Sequence, residues 1–355
     1  MLALEEREAW RERYRDGYFL APMVRVGTLP MRLLCLQYGA DLVWTCEVIA
    51  RSIIGSERQV NEHTGVVSFV RDGREIFTTH PDEKSRVVFQ MGAAQPETAL
   101  EAAKMVEQDV AGIDLNCGCP IKFSVQGGMG AALLEDPDRL CAILKMLVDN
   151  MSVPVTCKIR VFDDEERTLA LVRRIAATGI SALTVHCRTR NMRPREKAMW
   201  HRLNSIVEEL KPLPVVLNGD IVHYEDVERA KKATGATSVM TARGAAANPS
   251  IFRAAGELPA IETAVEYVKT AIRMSNPYGN TKYTLMQMYP DTRSTVFRAL
   301  QGSKCYESMC AAMGLAEFYE SEGRLRVRDR DDPMRGRAGK RPVAATETPT
   351  KRVKA

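Results

Sequence analysis

No stretch of the 355-residue chain approaches the ~18 uncharged apolar residues that a membrane-spanning helix requires. The opening segment, MLALEEREAWRERYRDG, is charged from Glu5 onward and lacks the apolar core of a signal peptide. It reads as an amphipathic helix, and neither a membrane protein nor an exported one is expected. No GxGxxG follows an apolar run and no Walker-type loop occurs, so the two commonest phosphate-binding signatures are missing. Apart from Cys117 and Cys119, no cysteines show the paired spacing of a zinc or iron–sulfur site. The nine cysteines are odd in number and scattered, which suits reduced thiols in a cytosolic or nuclear compartment. A strong charge of one sign is missing from most of the chain as well. The net charge is +5, but residues 324–355 hold eleven Lys and Arg against four Asp and Glu. That segment carries +7 and leaves −2 for residues 1–323, so overall charge is a weak argument for nucleic-acid binding.

What is present is ordinary globular composition, 45% apolar and 27% charged. The length allows one large domain with an appendage, and a core of ~250 residues needs no disulfide or metal to be stable. Eight short apolar or β-branched runs recur at 19–24, 42–47, 87–92, 112–116, 155–160, 182–188, 215–220 and 238–243. Little alternation within them suggests strands buried on both faces. Helical patterns fill most gaps, as at 97–107, 137–148, 165–178 and 226–233. Eight βα units predict an α/β fold, a (β/α)8 TIM barrel over residues 1–256. A doubly wound open sheet is the rival. The barrel is favoured because chemically loaded residues end nearly every run, and only a barrel converges those ends on one face. An Asp72-Gly73 turn between alternating runs predicts a hairpin insertion over 66–79. Helices expected at 261–274, 281–288 and 294–313 make a small C-terminal helical domain, 257–323. Residues 324–355 read as a disordered basic tail.

The most informative segment is Asp114-Leu-Asn-Cys-Gly-Cys-Pro120, followed by Gly127-Gly-Met-Gly130. A cysteine on a loop at a barrel mouth can act as nucleophile, ligand or proton donor, and a thiol of ordinary pKa, about 8.5, keeps its proton at neutral pH. Cys119 is the better candidate, because it precedes Pro120 beyond the strand whereas Cys117 adjoins the strand end. The bland alternative is a buried, inert thiol, the commoner fate of the residue type. Lys158 and Arg160 close the fifth run and His186 and Arg188 the sixth. A lysine inside an apolar strand is costly without a partner, either a salt bridge or an electron-rich ligand. Asn218-Gly-Asp-Ile221 and Ala242-Arg-Gly-Ala245 follow the seventh and eighth runs, where barrels often hold a phosphate. There Gly219 and Gly244 permit close backbone approach and Arg243 adds charge. Such a phosphate would belong to a mononucleotide such as a flavin. Pro22, Met23 and Val24 close the first run, and Gln90 the third, where its amide could meet a heterocycle.

Taken in order, these residues resemble the dihydrouridine synthase family of flavoenzymes. The strings are APMVRVGTLPMR (21–32), QMG (90–92), DLNCGCP (114–120), GGMGAALL (127–134), KIR (158–160), VHCRTR (185–190), NGD (218–220) and ARG (242–244). The resemblance covers residues 19–320, and NPSIF (248–252) and NTKY (280–283) look most like the eukaryotic branch acting on uridine 20 of the tRNA D-loop. It implies an FMN-bound barrel reduced by NADPH, hydride transfer from flavin N5 to C6 of uridine, and a proton from Cys119 to C5. It maps FMN contacts onto Pro22, Met23, Val24, Gln90, Lys158, His186, Asn218, Gly219, Asp220, Arg243 and Gly244. Asn116 and Arg188 are assigned to the substrate, the helical domain to gripping tRNA, and no metal is expected. The protein is expected to be monomeric. Lys340-Arg341 and Lys351-Arg-Val-Lys354 resemble a bipartite nuclear import signal and equally fit a nonspecific RNA-binding tail, so a cytoplasmic location, a nuclear one or both are expected. Two departures stand out. Cys187 replaces a usual glycine and puts a further thiol near the site, and Cys117 replaces a bulky apolar residue. Two rivals remain: a flavin barrel acting on a free pyrimidine, of the dihydroorotate dehydrogenase type, and a tRNA-binding chaperone with a vestigial flavin site.

Overall fold

The computed structural model describes residues 4–289 and 291–323. The expected tail, 324–355, with its two basic clusters, therefore lies outside the described residues. Helix α1 (Leu4–Glu12) leads to β1 (Tyr18–Leu20) and α2 (Leu29–Gln37), then to β2 (Val43–Trp44), β3 (Val48–Ile49) and α3 (Ala50–Ile53). Strands β4 (Glu57–Val60), β5 (Val67–Arg71) and β6 (Arg74–Thr79) form a separate antiparallel sheet. The main sheet resumes with β7 (Val87–Gly92), α4 (Pro96–Val106), β8 (Gly112–Cys117), α5 (Lys122–Gln126), α6 (Pro137–Asn150) and β9 (Val155–Arg160). It ends with α7 (Glu165–Ala177), β10 (Ala182–His186), α8 (Leu203–Leu210), β11 (Val215–Asn218), α9 (Asp226–Thr234), β12 (Ser238–Thr241) and α10 (Arg243–Ala247). Strand β1 pairs in parallel with both β2 and β12, and β2 pairs with β7, so eight parallel strands close on themselves. The expected (β/α)8 barrel is present.

Helices cover the barrel because their apolar residues fall on one stripe. In α6 the Asp136 carboxylate accepts from Arg139 N at 3.1 Å, Pro137 opens the first turn, and Leu140, Ile143, Leu144 and Leu147 are buried. Asp164 caps α7 in the same way. Alternate strand residues point into the barrel. Phe19, Trp44, Val88, Val216 and Met240 fill its lower interior, and Tyr14 closes the bottom.

Two expectations need correcting. The second run, 42–47, is not one strand. Thr45 Oγ1 accepts from Gln90 N at 2.9 Å, replacing the backbone acceptor that a continuous strand would offer. Pairing breaks there, resumes at β3, and turns Glu47 into the mouth. The region 294–313 is likewise two helices, α13 (Thr295–Gly302) and α14 (Tyr306–Ala312). Ser303 is extended, and Ser308 Oγ accepts from Lys304 N and Cys305 N, starting a new helix. The hairpin is present, with Asp72 and Gly73 both at positive φ as its tight turn requires, but β4 adds a third strand. Helices α11 (Ala260–Arg273) and α12 (Tyr278–Met288) precede α13, and α11 packs on α2 of the barrel.

A buried ion pair ties the insertion to the barrel. Arg32 of α2 donates to Glu83 Oε2 at 2.9 Å, to Glu83 Oε1 at 2.6 Å and to Thr78 O at 2.7 Å. Such a pair is favourable only with its remaining valences met, and Thr79 Oγ1 and Gly27 O meet them here.

Candidate active site

The two-residue period of the strands sets the upper layer of the barrel. Val88 is followed inward by Gln90, Asp114 by Asn116, Thr156 by Lys158 and Arg160, Thr184 by His186, and Val216 by Asn218. The register brings them level: Asn116 lies opposite Lys158, and His186 opposite Asn218. These side chains line two adjoining cavities at the C-terminal ends of the strands. One, of about 230 Å³, holds Pro22, Val24, Glu47, Gln90, Asn116, Cys119 and Lys158. The other, of about 210 Å³, holds Arg188, Gly219, Asp220 and Arg243. Arg160, His186, Asn218 and Ala242 line both, making one elongated trough.

Beneath the first cavity runs a closed hydrogen-bond chain. Thr156 Oγ1 donates to Asp114 Oδ1 at 2.6 Å, and Gln90 Nε2 donates to Asp114 Oδ2 at 2.8 Å. Asn116 Nδ2 donates to Gln90 Oε1 at 3.3 Å, while Asn116 Oδ1 accepts from Gly118 N and Cys119 N, both at 3.0 Å. The asparagine thereby builds the turn that presents Cys119. Arg160 Nε holds the same turn through Gly118 O at 2.9 Å. Ala131 N donates to Cys119 O at 2.9 Å, and Ser124 Oγ lies 3.7 Å from Cys119 Sγ. The glycine-rich string supports this loop directly. Gly130 has φ +58°, and a Cβ there would lie 2.7 Å from Cys119 O.

The three thiols of interest separate cleanly. Cys119 is half-buried in the mouth. Cys117 is fully buried in the layer between strands and helices, beside Leu115 O. Cys187 is buried in that same layer, where burial pushes its pKa up to about 12. Alternation turns Cys187 outward while His186 points in, so this further thiol stands near the site but behind its wall and not in the mouth.

Charge is distributed along the trough. Burial, then the nearby Arg160, lowers Lys158 to about 8, with Asp114 opposing. Its ammonium forms no hydrogen bond among the described residues. Burial and the surrounding Lys158, Arg160, Arg188 and Arg243 lower the pKa of His186 and keep its ring neutral. The ring accepts from Arg188 at 3.1 Å through Nε2. Asp220 lies below the usual carboxylate range: burial works against this, and Ala198 N and Arg188 outweigh it. Its carboxylate bridges Arg188 and Arg243, the latter at 2.6 Å. Gly219, at φ +122°, sits where a Cβ would meet Ala198 at 3.0 Å and His186 at 3.3 Å.

Some assigned residues lie apart from the trough wall. Met23 is half-buried beside it, and its carbonyl accepts from Gly27 N at 2.8 Å and from the Cys46 thiol at 3.1 Å. Gly244 lies behind the wall, 2.4 Å from Ile251 Cδ1 at its Cβ position. Arg188 is 3% exposed, with its guanidinium held by Asp220, Glu196 O and Pro194 O. It stands at the cationic end and not beside Cys119. Glu47 and Arg160 also line the trough, although local pattern assigns neither of them a role. Among the described residues Glu47 Oε1 is buried with no hydrogen-bond partner, and burial raises the pKa of its carboxyl, with Cys119 and Asn116 nearby opposing. The signal for Glu47 was a carboxylate ending an apolar run; for Arg160 it was a second cation two residues beyond Lys158.

A closed (β/α)8 barrel with a mouth thiol, a polar layer above an apolar interior and a cationic far end defines an enzyme of the barrel class. Residues 19–308 match the profile of the dihydrouridine synthase (Dus) family. A Schizosaccharomyces pombe protein named tRNA-dihydrouridine(20) synthase, NAD(P)+, is 44% identical over 321 residues, spanning 87% of this chain and 67% of the relative. A Saccharomyces cerevisiae protein of the same name is 39% identical over 299 residues, 78% of each chain. A second protein of that yeast, named tRNA-dihydrouridine(20a/20b) synthase, NAD(P)+, is 33% identical over 235 residues, 65% of this chain and 60% of the relative. The chain belongs to the dihydrouridine synthase family.

Proposed function

We propose that this protein reduces the C5=C6 bond of a D-loop uridine in tRNA, at position 20, to dihydrouridine, with FMN as cofactor and NADPH as reductant. The observation that carries the reading is the half-buried Cys119 thiol beside Asn116, at one end of a trough whose other end is cationic. The trough suits an elongated heterocycle with a terminal phosphate. Gln90, Lys158, His186 and Asn218 meet the heterocycle side, and the ammonium of Lys158 makes no hydrogen bond among the described residues. Arg188 and Arg243 face the phosphate side, joined there by Asp220 and by Pro194 O, and a side chain at 219 would crowd Ala198, Arg188 and His186. Pro22, Val24 and Ala242 supply apolar wall.

When bound, FMN supplies the hydride that adds at C6 of the uracil, and NADPH restores it. The residues of the chain do the rest. Negative charge develops toward C5 and the C4 oxygen, and the Cys119 thiol delivers the proton to C5. Asn116 and Arg160 hold the Cys119 turn so that the thiol need not be ordered during reaction. The uridine must leave its stack to enter the mouth, at a cost of roughly a few kcal/mol. On this reading helices α11 to α14 grip the tRNA, the protein acts as a monomer, and the clusters within 340–354 serve nuclear import or contact RNA.

The test is dihydrouridine mapping in tRNA lacking the modification, incubated with NADPH and either the wild-type protein or Cys119→Ala. The expected result is dihydrouridine at position 20 from wild type, and a loss of about 10²-fold or more in a variant that keeps its flavin. Normal turnover by Cys119→Ala removes the thiol from its role. A yellow, NADPH-oxidising protein that leaves tRNA unmodified points to a free pyrimidine. A colourless, inactive protein that still binds tRNA points to the binding-only alternative.

A further inference from the structure

Two strings that the reaction does not use meet in the fold. Arg25-Val-Gly-Thr28 follows β1, and Asn280-Thr-Lys-Tyr283 lies in α12, more than 250 residues further along the chain. Asn280 Nδ2 donates to Arg25 O at 2.7 Å, and Thr284 Oγ1 donates to the same carbonyl at 3.3 Å. Thr28 Oγ1 donates to Asn280 Oδ1 at 3.1 Å, so both ends of one amide are engaged with the barrel loop. The Arg25 guanidinium lies 5.0 Å from the ring centroid of Tyr283.

The carbonyl being held belongs to an unfavourable conformation. Arg25 has φ +69°, in the left-handed region that residues with a Cβ avoid. The inner side of this turn is secured within the barrel, where Val26 N and Gly27 N both donate to Met23 O. Its outer corner is different: among the described residues, Arg25 O accepts only from Asn280 and Thr284. Pro22 and Val24, just before that corner, line the mouth, and Val24 is 59% exposed there. The helical segment therefore holds one wall of the trough in place from outside the barrel.

We propose that Asn280 is a positioning residue for the cofactor: by holding Arg25 in its left-handed turn, it keeps Pro22 and Val24 where the trough needs them. The inference rests on the reading that this trough takes FMN. It gives the helical segment a task that is complete before any RNA arrives.

The test is FMN binding without tRNA, followed by flavin fluorescence on flavin-stripped protein, for wild type, Asn280→Ala, Thr284→Val and Tyr306→Phe. Tyr306 is the control. Its hydroxyl donates to Asn276 O at 2.6 Å and lies 2.6 Å from Thr281 Oγ1, so its loss loosens the helices without touching Arg25. Loss of the stronger donor is expected to weaken FMN binding about five- to tenfold in Asn280→Ala, and roughly twofold to threefold in Thr284→Val, with Tyr306→Phe unchanged. Thr284→Val carries the test alone if Asn280→Ala does not fold. FMN affinity unchanged in both Asn280→Ala and Thr284→Val overturns the proposal, whatever happens to tRNA affinity. An equal loss in Tyr306→Phe also overturns it, because the effect is then general loosening. A wild-type protein that binds no FMN overturns the cofactor reading itself, and the positioning role with it.

Discussion

Lys158 shows what the trough costs the protein that carries it. Its ordinary pKa is about 10.4, and burial with Arg160 nearby lowers it to about 8 in the folded chain. Below pH 8 both folded and unfolded chains hold the proton, and the folded state bears the full penalty of a buried ammonium. Between about 8 and 10.4 the unfolded chain binds more protons, so this group's contribution to stability rises with pH. Above that range the penalty is gone. The flavin-free Lys158→Met variant is therefore expected to be more stable than wild type at pH 7, by an amount on the order of 2–3 kcal/mol. The gap is expected to close toward pH 10. Urea unfolding of both proteins at pH 7 and pH 10 measures it, and a gap that does not change with pH would contradict the assignment. A lysine at the end of an apolar run is visible in a sequence for the same reason that it is costly in a fold. Glu47 was harder to see, because its place in the mouth depends on a break in strand pairing.

That break marks the limit of what local pattern reveals about elements. Strands β7 and β9 match their apolar runs residue for residue, because burial on both faces writes itself into composition. Four other runs, those beginning at 19, 182, 215 and 238, extend past the strand ends into mouth loops, where Asp220 and Gly219 take positive φ. The interruption at Thr45 comes from a side-chain hydroxyl meeting Gln90 N, a contact between residues 45 positions apart that no window of sequence contains. Strand β4 was equally hidden, since all four of its residues are exposed and show no alternation. The glycine-rich loop between β8 and α6 was visible as a motif but its task was not. Gly130 stands against the Cys119 carbonyl, at φ +58°. Gly130→Ala is expected to displace that carbonyl and to destabilise the protein by about 1–3 kcal/mol. On the proposed reaction it should lower dihydrouridine formation about tenfold or more while FMN stays bound, since Gln90, Lys158, His186 and the cationic end of the trough lie on other strands and loops. The readouts are turnover and the rate of Cys119 alkylation by iodoacetamide. Wild-type values for both would mean that the loop tolerates the methyl group and does not set the thiol.

At the scale of the whole molecule, charge and chemistry are separated. Residues 1–323 carry −2, although the trough gathers Lys158, Arg160, Arg188 and Arg243. The folded body therefore presents local positive charge at the mouth without a general attraction for a polyanion. Residues 324–355 carry +7. An RNA substrate binds with a salt dependence that counts the phosphates it loses to cations, with a slope of about −0.7 to −0.9 per contact in log K against log salt. If the basic segment lies on the tRNA, removing it leaves the trough intact but takes several such contacts away. A chain ending at residue 323 is expected to keep its fold and, on the proposed cofactor reading, its FMN binding, since the described residues contain both the barrel and helices α11 to α14. Its tRNA affinity at low salt should fall, and the slope should become shallower by roughly two to four. Binding titrations at four salt concentrations, with the full chain in parallel, measure both quantities. Equal slopes for the two proteins would place the basic segment off the RNA and leave nuclear import as its remaining assignment. A shallower slope with unchanged dihydrouridine yield at saturating tRNA would show the segment to recruit substrate without shaping the reaction.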